Sequence, residues 1–470
     1  MIFLKLTKLL IWSGIYYIQE KKSDVVFNII VNNIRDIGCV AIKLTQWILP
    51  KVEMIYSIDT SKSEHRWFLE LEKVYEDCNY HSLEYTKNLY KEEFGHDIED
   101  DFIIQEAIAS GSIGQVYKIN SKDDNKDYAM KVIHPNVDSD IWIIDWILYI
   151  LTTFPFIGTK VRYYIPIDIH QFIRDFKIQI DMVNEANNCL TFARSNKDND
   201  IYIIPTINRV SKKILIMSYE EGIAFDKLEC SEYMKQKIIL LGKIFVKGNQ
   251  YSDHLMHGDL HKGNWKVRLK NGTIPQIIIY DYGFCWKLPD FLKDPKKNIF
   301  IDQALLTPIS NIDNYILACN YILNNKSPIE RIRDVLCLTR DELISEGYDV
   351  GSIYDDPVFL MKLTIRLCRE DNYLIDSFAL QTIIIHTQLT GNFLKYGLTR
   401  RDRGDEFAMN QILDMINLCK IYNIAIEYSK VIIEEYDNLS KSVERKSLFE
   451  TSTYDNNFDQ FPNLKEMAIS

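Results

Sequence analysis

The sequence lacks several features that would place it in other classes of protein. Its nine cysteines are scattered and contain no C-x-x-C pair, so neither a zinc site nor a disulfide framework is indicated and a reducing, intracellular compartment is expected. The net charge is −11 and no long basic patch is present, so a nucleic-acid partner is not expected. The chain also contains no internal repeats and no low-complexity linker.

Long hydrophobic runs are missing as well. Residues 9–18 resemble a short signal-peptide core, but they lack a small-residue cleavage site and fall well short of the roughly 20 residues that a membrane span needs. We interpret them as a docking helix, with anchoring at a membrane interface as the alternative. Residues 141–157 form a second apolar stretch, with Trp142, Trp146 and Phe154. There we expect a buried helix, or one that packs on a lipid-like ligand.

The composition that remains is that of an ordinary globular protein. Apolar residues make up 47% of the 470 positions and charged residues 26%, which is enough for a substantial core. This length predicts one large bilobal domain, or two domains with extensions. We expect the protein to be soluble or peripherally associated with a membrane.

Residues 257–264 read HGDLHKGN, and an apolar run at 277–280 leads from them to Asp281 in the sequence DYG. The order H-x-D-L-x-x-x-N, strand, D-aromatic-G is typical of the catalytic and metal loops of protein-kinase-like phosphotransferases. Phosphoryl transfer needs one carboxylate near the attacking oxygen, and an Asn with a second carboxylate to hold Mg²⁺. Asp259 fits the first role. Asn264 and Asp281 fit the metal-binding roles.

Two other interpretations of the same stretch compete with this one. His254, His257 and His261 with Asp259 could form a zinc-hydrolase cluster, because closely spaced His and Asp bind Zn²⁺. The run could also be a polar loop without chemistry. The zinc interpretation predicts nothing upstream, whereas the kinase interpretation predicts a small-residue strand pair and a strand lysine, and the sequence has both.

The upstream pattern consists of a strand, a small-residue turn and a second strand at residues 108–119, then a third strand at 128–133. Small residues allow backbone N–H groups to approach phosphates closely. Lys131, in the setting A-M-K, is placed to pair with the α- and β-phosphates of a nucleotide. The predicted phosphate-binding residues of the turn are Ala109, Ser110, Gly111, Ser112 and Gly114.

The strand lysine needs a carboxylate on a helix to orient it. Residues 170–192 are periodic, and Asp181 and Glu185 lie four positions apart, hence on one face of a helix. Without Lys131, a solvated acidic face would be the better interpretation. With it, we expect Glu185 to be the ion-pair partner of Lys131.

These patterns predict an α+β fold, bilobal and protein-kinase-like. Residues 1–100 form a helical extension, in which a helix over 36–49 stops at Pro50. Residues 101–222 form the smaller lobe, closed by strands at 201–205 and 209–217 and ending in a hinge at 218–222. Residues 223–445 form a mostly helical second lobe, which begins with a helix over 233–250 and has apolar helical periodicity at 311–323, 357–368, 372–395 and 407–435. Residues 446–470 form a flexible tail.

The motifs together resemble the UbiB, or aarF-domain, family of atypical kinases, which is associated with ubiquinone biosynthesis. The likeness runs from about residue 40 to 290. Its segments are KLTQ at 43–46 for K-x-G-Q, ASGSIGQV at 109–116 for A-A-A-S-I-G-Q-V, AMKVIHP at 129–135, Asp181 with EAN at 185–187, HGDLHKGN at 257–264 for H-x-D-x-H-P-G-N, and DYG at 281–283.

The resemblance implies an ATPase or small-molecule kinase tied to lipid metabolism, with Mg²⁺ and ATP or ADP as cofactors. The substrate would be a lipid or isoprenoid-like small molecule rather than a protein. Asp259, Lys131 and Glu185 would be the catalytic residues. Lys43 and Gln46 would lie on a helix that folds over the nucleotide site.

Four positions depart from the family pattern. Thr45 and Gly111 replace a glycine and an alanine, Gln179 replaces the first Glu of E-x-D, and Lys262 replaces a proline. The metal ligands and Lys131 are retained, so we expect nucleotide binding to survive these changes better than family-type autoinhibition.

Two alternatives therefore stay open. A choline- or aminoglycoside-type phosphotransferase would fit HGDLH, although that group lacks counterparts of residues 43–46 and 112–116. A catalytically weak, pseudokinase-like binding module is the other alternative.

Overall fold

A computed structural model of the chain describes residues 2–19, 23–56, 80–164, 167–252, 254–260, 263–288 and 404–424, with isolated positions elsewhere between 68 and 430. Apart from a few such positions, the helices expected at 311–323, 357–368 and 372–395 lie outside the described residues. The expected tail at 446–470 and the Lys262 substitution also lie outside them.

Three helices open the chain: α1 (Ile2–Ile18), α2 (Asp24–Ile37) and α3 (Cys39–Tyr56). The Ser23 side chain caps α2 by accepting a hydrogen bond from the Val26 amide. Gly38 separates α2 from α3 at a φ of 110°, a conformation that favours glycine. The helix predicted over residues 36–49 therefore begins at Cys39, after this glycine, and not at residue 36.

Pro50 does not end α3, contrary to the prediction, because the helix continues to Tyr56. A proline inside a helix removes one backbone donor and disturbs the carbonyls one turn earlier. Here the Lys51 ammonium donates to the Trp47 carbonyl at 2.9 Å and so supplies a side-chain donor beside the proline. Lys51 is completely buried.

The smaller lobe is an antiparallel sheet with strand order β1-β2-β3-β6-β5, covered by α4 (Leu83–Phe94). The short helix α5 (Ile98–Asp101) leads into the first strand. Its strands are β1 (Phe102–Ser110), β2 (Gly114–Ser121), β3 (Asp127–Ile133), β5 (Ile207–Val210) and β6 (Ile214–Ser218). Apolar side chains of α4 and of the sheet form one buried cluster.

Two helices follow β3, α6 (Val137–Thr153) and α7 (Pro155–Tyr164). The sequence predicts a buried helix here, or a helix that packs on a lipid-like ligand. Only one side of α6 is buried. Ile141 and Ile144 are buried, whereas Trp142, Trp146 and Tyr149 are each more than half exposed. Within the described residues, no helix has the length and apolar character needed to cross a bilayer.

The periodic stretch at 170–192 is two helices, α8 (Ile169–Gln179) and α9 (Met182–Ser195). Asp181 is the N-cap of α9, where its side chain accepts a hydrogen bond from the Val183 amide. A short acidic side chain is favoured at this position because it satisfies an amide that has no partner in the helix. Asp181 and Glu185 therefore do not share one helix face as predicted.

The strand predicted at 201–205 does not close the smaller lobe. The observed β4 (Tyr202–Ile203) pairs in parallel with β9 (Ile274–Ile279), and the Ile277 amide donates to the Ile201 carbonyl at 2.7 Å. The Tyr202 hydroxyl also bonds the Leu241 carbonyl at 2.8 Å. These contacts hold β4 in the second lobe.

The second lobe is built on α10 (Glu232–Ser252), which matches the helix predicted at 233–250. Strand β9 lies between β4 and β8 (Trp265–Lys270), and β7 (Leu255–His257) pairs with β10 (Cys285–Lys287). Helix α11 (Gly404–Ile421) packs against α10. The α+β fold class expected from the sequence is confirmed.

Candidate active site

Lys131 stands at the centre of the site, on β3 in the middle of the first sheet. Its ammonium donates to both carboxylate oxygens of Glu185 at 2.9 Å and to Oδ1 of Asp281 at 3.0 Å. Lys131 and Glu185 are buried. The expected ion pair is present, and Asp281 completes it from the other lobe.

The charges of Lys131, Glu185 and Asp281 shift one another's pKa. Burial raises the pKa of Glu185 to about 7, against the effect of Lys131. Burial disfavours the charged form of Lys131, but Asp281 and Glu185 outweigh it and raise the pKa of the lysine. Burial also opposes ionisation of Asp281, yet Lys131 and Lys43 hold its pKa well below the usual range. Lys131 and Asp281 are therefore charged at neutral pH.

Asp281 has a backbone φ of 55°, in the left-handed region where residues other than glycine are strained. Its neighbours are tied on both sides. The Tyr280 amide donates to the Asn264 carbonyl at 2.8 Å, and the Asn188 side chain donates to the Tyr282 carbonyl at 2.9 Å. The surrounding hydrogen bonds thus keep Asp281 in a conformation that aims its side chain at Lys131.

His257 connects the loop of Asp259 to the strand before Asp281. Its Nδ1 accepts from the Asp259 amide at 3.3 Å, so its Nε2 carries the proton and donates to the Tyr280 carbonyl at 3.2 Å. The imidazole is buried. The sequence indicates His257 only as a motif position and as a zinc ligand. Its place two residues before Asp259 is the available signal for this role.

The zinc-hydrolase interpretation finds no support among the residues that the structure describes. They contain no group of three or more His, Cys, Asp or Glu side chains arranged to hold a metal. Both ring nitrogens of His257 are already engaged in the loop. His261 lies outside the described residues.

Asn264 and Asp281 offer the oxygen ligands that Mg²⁺ prefers. Asn264 donates through Nδ2 to the Asp259 carbonyl at 2.7 Å, so its Oδ1 keeps its lone pairs for a cation. The hydrogen bonds of Asp281 fall on Oδ1, and its Oδ2 accepts none from the described residues. The side chain of Asp281 is 36% exposed, so this donor set fits a magnesium ion.

The small-residue turn joins β1 to β2. Ala109 and Ser110 end β1, in register with Val116 and Gln115 of β2, and the Gly111 amide closes the turn by donating to the Gly114 carbonyl at 3.0 Å. A Cβ on Gly114 would lie 2.5 Å from the Val132 carbonyl oxygen. Glycine is therefore required at 114, where β2 meets β3.

Helix α3 reaches the site from the N-terminal extension. Lys43 forms an ion pair with Asp259, at 3.3 Å between Nζ and Oδ2. The Ser112 hydroxyl donates to Oε1 of Gln46 at 2.9 Å. One helix thus contacts the loop of Asp259 and the small-residue turn at once, whereas a nucleotide site under Lys43 and Gln46 stays a prediction.

Two of the departures from the family pattern lie on helices α3 and α8. The Thr45 hydroxyl donates to the Ala41 carbonyl at 2.9 Å, so the extra side chain lies along its own helix. Gln179 is buried, and its Oε1 has no hydrogen-bond partner among the described residues. The missing charge at 179 therefore does not prevent α3 from docking.

Sequence reasoning missed Lys51, which lies two helical turns beyond Lys43 on α3. The Lys51 ammonium donates to Oε1 of Gln381 at 2.9 Å, and Gln381 in turn donates to the Gly258 carbonyl at 3.0 Å. Burial lowers the pKa of Lys51 to about 7, against the effects of Asp175 and Asp259. This bridge is a second link from α3 to the catalytic loop, and the spacing from Lys43 was its only signal.

The geometry has a counterpart in a known family. The model of the ABC1 atypical kinase-like domain matches residues 73–305. This chain belongs to the ABC1, or UbiB-type, family of atypical kinases. The match includes every predicted site residue except Lys43 and Gln46, which α3 adds from outside it.

Curated relatives agree with this assignment. A probable serine/threonine-protein kinase, abkC, of Dictyostelium discoideum is 28% identical over 249 residues, which are 52% of this chain and 35% of the relative. A probable protein kinase UbiB of Klebsiella pneumoniae is 23% identical over 248 residues, 47% of this chain and 44% of the relative. The chain thus spans less than half the length of these relatives.

A solved structure is also similar, the Rv3197–erythromycin complex of Mycobacterium tuberculosis. It is 17% identical with a TM-score of 0.42, and the likeness covers 65% of this chain and 83% of the other. So distant a likeness supports no inference about ligands.

Proposed function

We propose that this ABC1-family protein binds Mg²⁺ with ATP or ADP and transfers or hydrolyses the terminal phosphate. The observation that carries the proposal is the position of Lys131, held between Glu185 of one lobe and Asp281 of the other. A buried ammonium in this setting serves to pair with nucleotide phosphates. Asp259 and Asn264 lie on a loop tied to the strand that leads to Asp281.

Each residue has a distinct part in the proposal. Lys131, oriented by Glu185, would pair with the phosphates, and the turn at residues 109–114 would offer them backbone N–H groups. Asp259 would orient the acceptor or water and take its proton. Asn264 and Asp281 would hold Mg²⁺, whose chemistry is to neutralise charge on the phosphates.

We propose a small, apolar or lipid-related acceptor rather than a protein. Helix α3 covers Asp259 through Lys43, and a site under a helix favours a slender substrate. The exposed aromatic side chains of α6, Trp142, Trp146 and Tyr149, support contact with an apolar ligand or peripheral association with a membrane, because aromatic rings favour such interfaces.

A thermal-shift titration with ATP, ADP and AMP, each with and without Mg²⁺, tests the nucleotide site. Binding to the native state raises its melting temperature by mass action. We expect a Mg²⁺-dependent shift that Asp281→Asn removes. Asp290→Asn is the matched control, since the Asp290 side chain is 95% exposed. No shift with any nucleotide, also after deletion of residues 1–50, would contradict the proposal.

Turnover is tested with Asp259→Asn, followed by phosphate release and by transfer to lipid acceptors. Loss of a general base typically slows reaction by about 10²–10⁴-fold, and we expect nucleotide binding to remain. Full activity of this variant would exclude the assigned role of Asp259.

The Lys43–Asp259 ion pair also favours a second candidate, a nucleotide-responsive binding module without turnover. This ion pair keeps the Asp259 carboxylate bound to Lys43. The Lys43→Met variant distinguishes the two candidates. It should turn over nucleotide if the protein is an enzyme, and it should only bind nucleotide if the protein is a binding module.

A further inference from the structure

A buried chain of hydrogen bonds runs from strand β2 through helix α4 to the turn at residues 111–114. We infer that His134 is a positioning residue that sets the direction of this turn, and that the chain behind it fixes which nitrogen of His134 carries the proton. The inference rests on the proposed function in one respect: the ligand of the turn is taken to be the nucleotide phosphate. The members of the chain are Gln115, Tyr117, Thr86, His81 and His134.

The first half of the chain has one direction. The His81 backbone amide donates to Oε1 of Gln115 at 2.8 Å, and this fixes the orientation of the Gln115 amide. Its Nε2 then donates to the Tyr117 hydroxyl at 2.7 Å. The Tyr117 hydroxyl then donates to the Thr86 hydroxyl, 2.9 Å away, and the Thr86 hydroxyl donates to Nε2 of His81 at 2.9 Å.

The second half follows from the first. A neutral His81 that accepts at Nε2 carries its proton on Nδ1, which lies 2.8 Å from Nδ1 of His134. His134 accepts there, carries its proton on Nε2 and donates to the Gly111 carbonyl at 3.0 Å. A carbonyl oxygen only accepts. The Gly111 carbonyl therefore fixes the tautomers of both histidines, and the direction taken from the Gln115 end agrees with them.

Both imidazoles are neutral in this arrangement. Burial, together with His134, lowers the pKa of His81 to about 4, and burial lowers the pKa of His134. The rings that face His81 are those of Tyr85, Tyr117 and His134. A second proton on His134 would lie on Nδ1 and place two N–H groups against each other across 2.8 Å. A second proton on His81 would lie on Nε2 and oppose the proton that Thr86 donates there.

His134 holds two peptide planes of the turn. Its side chain donates to the Gly111 carbonyl, and its backbone amide donates to the Ile113 carbonyl at 3.0 Å. In a trans peptide the C=O and N–H point in opposite directions. The N–H groups of Ser112 and Gly114 therefore point away from His134, and such backbone N–H groups bind anions.

The tautomers are measured directly in protein labelled with ¹⁵N in its nine histidines. Long-range ¹H–¹⁵N spectra at pH 7 distinguish a protonated Nδ1 from a protonated Nε2, and His81→Asn and His134→Gln assign the signals. We expect a proton on Nδ1 of His81 and on Nε2 of His134. The reverse pair of tautomers, or a charged ring, would overturn the inference.

The effect on the turn is measured as binding of ADP compared with adenosine, which has no phosphate. His134→Phe removes the donor to Gly111, whereas His134→Gln keeps an N–H near the same place. We expect His134→Phe to weaken the binding of ADP by about five- to tenfold, the scale of one lost hydrogen bond. Adenosine should be unaffected, and His134→Gln should retain most of the affinity for ADP.

The outcomes separate this inference from the proposed function. Equal ADP affinity in wild type and His134→Phe would overturn the inference alone. If wild type binds no nucleotide, the proposed function falls. The imidazole spectrum of wild type, together with hydrogen exchange of the Ser112 and Gly114 amides in wild type and His134→Phe, then decides whether His134 sets the turn. Unchanged exchange of both amides in His134→Phe would count against it.

Discussion

Two glycines of the β1–β2 turn differ in what their surroundings allow. A Cβ on Gly111 would meet the Gly114 carbonyl at 3.7 Å, an ordinary contact, whereas a Cβ on Gly114 would press on the Val132 backbone at 2.5 Å. Neither glycine has a positive φ. The alanine that the family places at 111 would therefore fit this chain, and only the second glycine is required by space.

We predict opposite effects for alanine at the two positions. Gly111→Ala should stabilise the fold by about 0.4–1 kcal/mol, because it reduces the freedom of the unfolded chain. Gly114→Ala should destabilise it by about 1–3 kcal/mol, since backbone atoms must move. Urea unfolding of the two variants measures the difference. Equal free energies of unfolding would show that the packing of β2 on β3 does not restrict position 114.

The ion pair between Lys43 and Asp259 leads to a second prediction for single residues. The Lys43 side chain is 10% exposed and that of Asp259 27%, so the pair is partly screened and costs about 1 kcal/mol to open. If it must open before reaction, Lys43→Met should raise turnover of nucleotide by up to about fivefold.

Thr45→Val is the control for Lys43→Met, because the Thr45 hydroxyl donates to a carbonyl of its own helix. Phosphate release by both variants is compared with wild type. A fall in turnover with Lys43→Met would instead assign Lys43 to substrate or nucleotide binding.

At the scale of secondary-structure elements, one carboxylate joins α4, α5 and β5. Oδ2 of Asp101 accepts from the Tyr90 hydroxyl and from His96 at 2.6 Å each, and from Arg209. Burial opposes ionisation of Asp101, but these hydrogen bonds lower its pKa to about 2. The junction between helix and sheet therefore depends on a charged Asp101.

Asp101→Asn should destabilise the fold by about 1.5–3 kcal/mol, the range for hydrogen bonds to a charged group. The effect should depend on pH with a definite sign. Because the folded pKa is below the unfolded one, the stabilisation is present above about pH 4 and is lost as pH falls towards about 2. Unfolding of wild type and variant between pH 7 and 2.5 measures it.

The neighbouring Asp100→Asn is the matched control, since Asp100 is exposed. It should unfold like wild type at every pH. A constant difference between Asp101→Asn and wild type down to pH 2.5 would show that the charge of Asp101 is not what joins these elements.

The sequence predicted elements best where spacing and chemistry agreed. Lys131 and Glu185 were predicted to pair because phosphate chemistry demands a strand lysine with an orienting carboxylate, and the structure shows that pair, with Asp281 added to it. The same reasoning could not foresee that Tyr202 pairs with β9, because strand partners far apart in sequence leave no local pattern. Asp181 looked like a helix-face residue, since a cap and a face position share the same spacing.

At the scale of the whole molecule, α3 spans the gap between the lobes. Gln46 contacts Ser112 of the first lobe, whereas Lys43 contacts Asp259 of the second. Lys51 adds the link through Gln381 to the Gly258 carbonyl. Since Lys131 of the first lobe also bonds Asp281 of the second, the cleft in this conformation is closed from two sides.

A closed cleft predicts that movement of α3 limits access of nucleotide. Gln46→Ala removes the hydrogen bond to Ser112, which is worth about 1 kcal/mol net, and should speed nucleotide association by about fivefold. Stopped-flow mixing with a fluorescent ADP analogue measures the rate, and Thr45→Val, one position away, provides the control. If association is equally fast in all three proteins, α3 does not gate the cleft, and the contacts of Lys43 and Lys51 then serve to hold the two lobes in register.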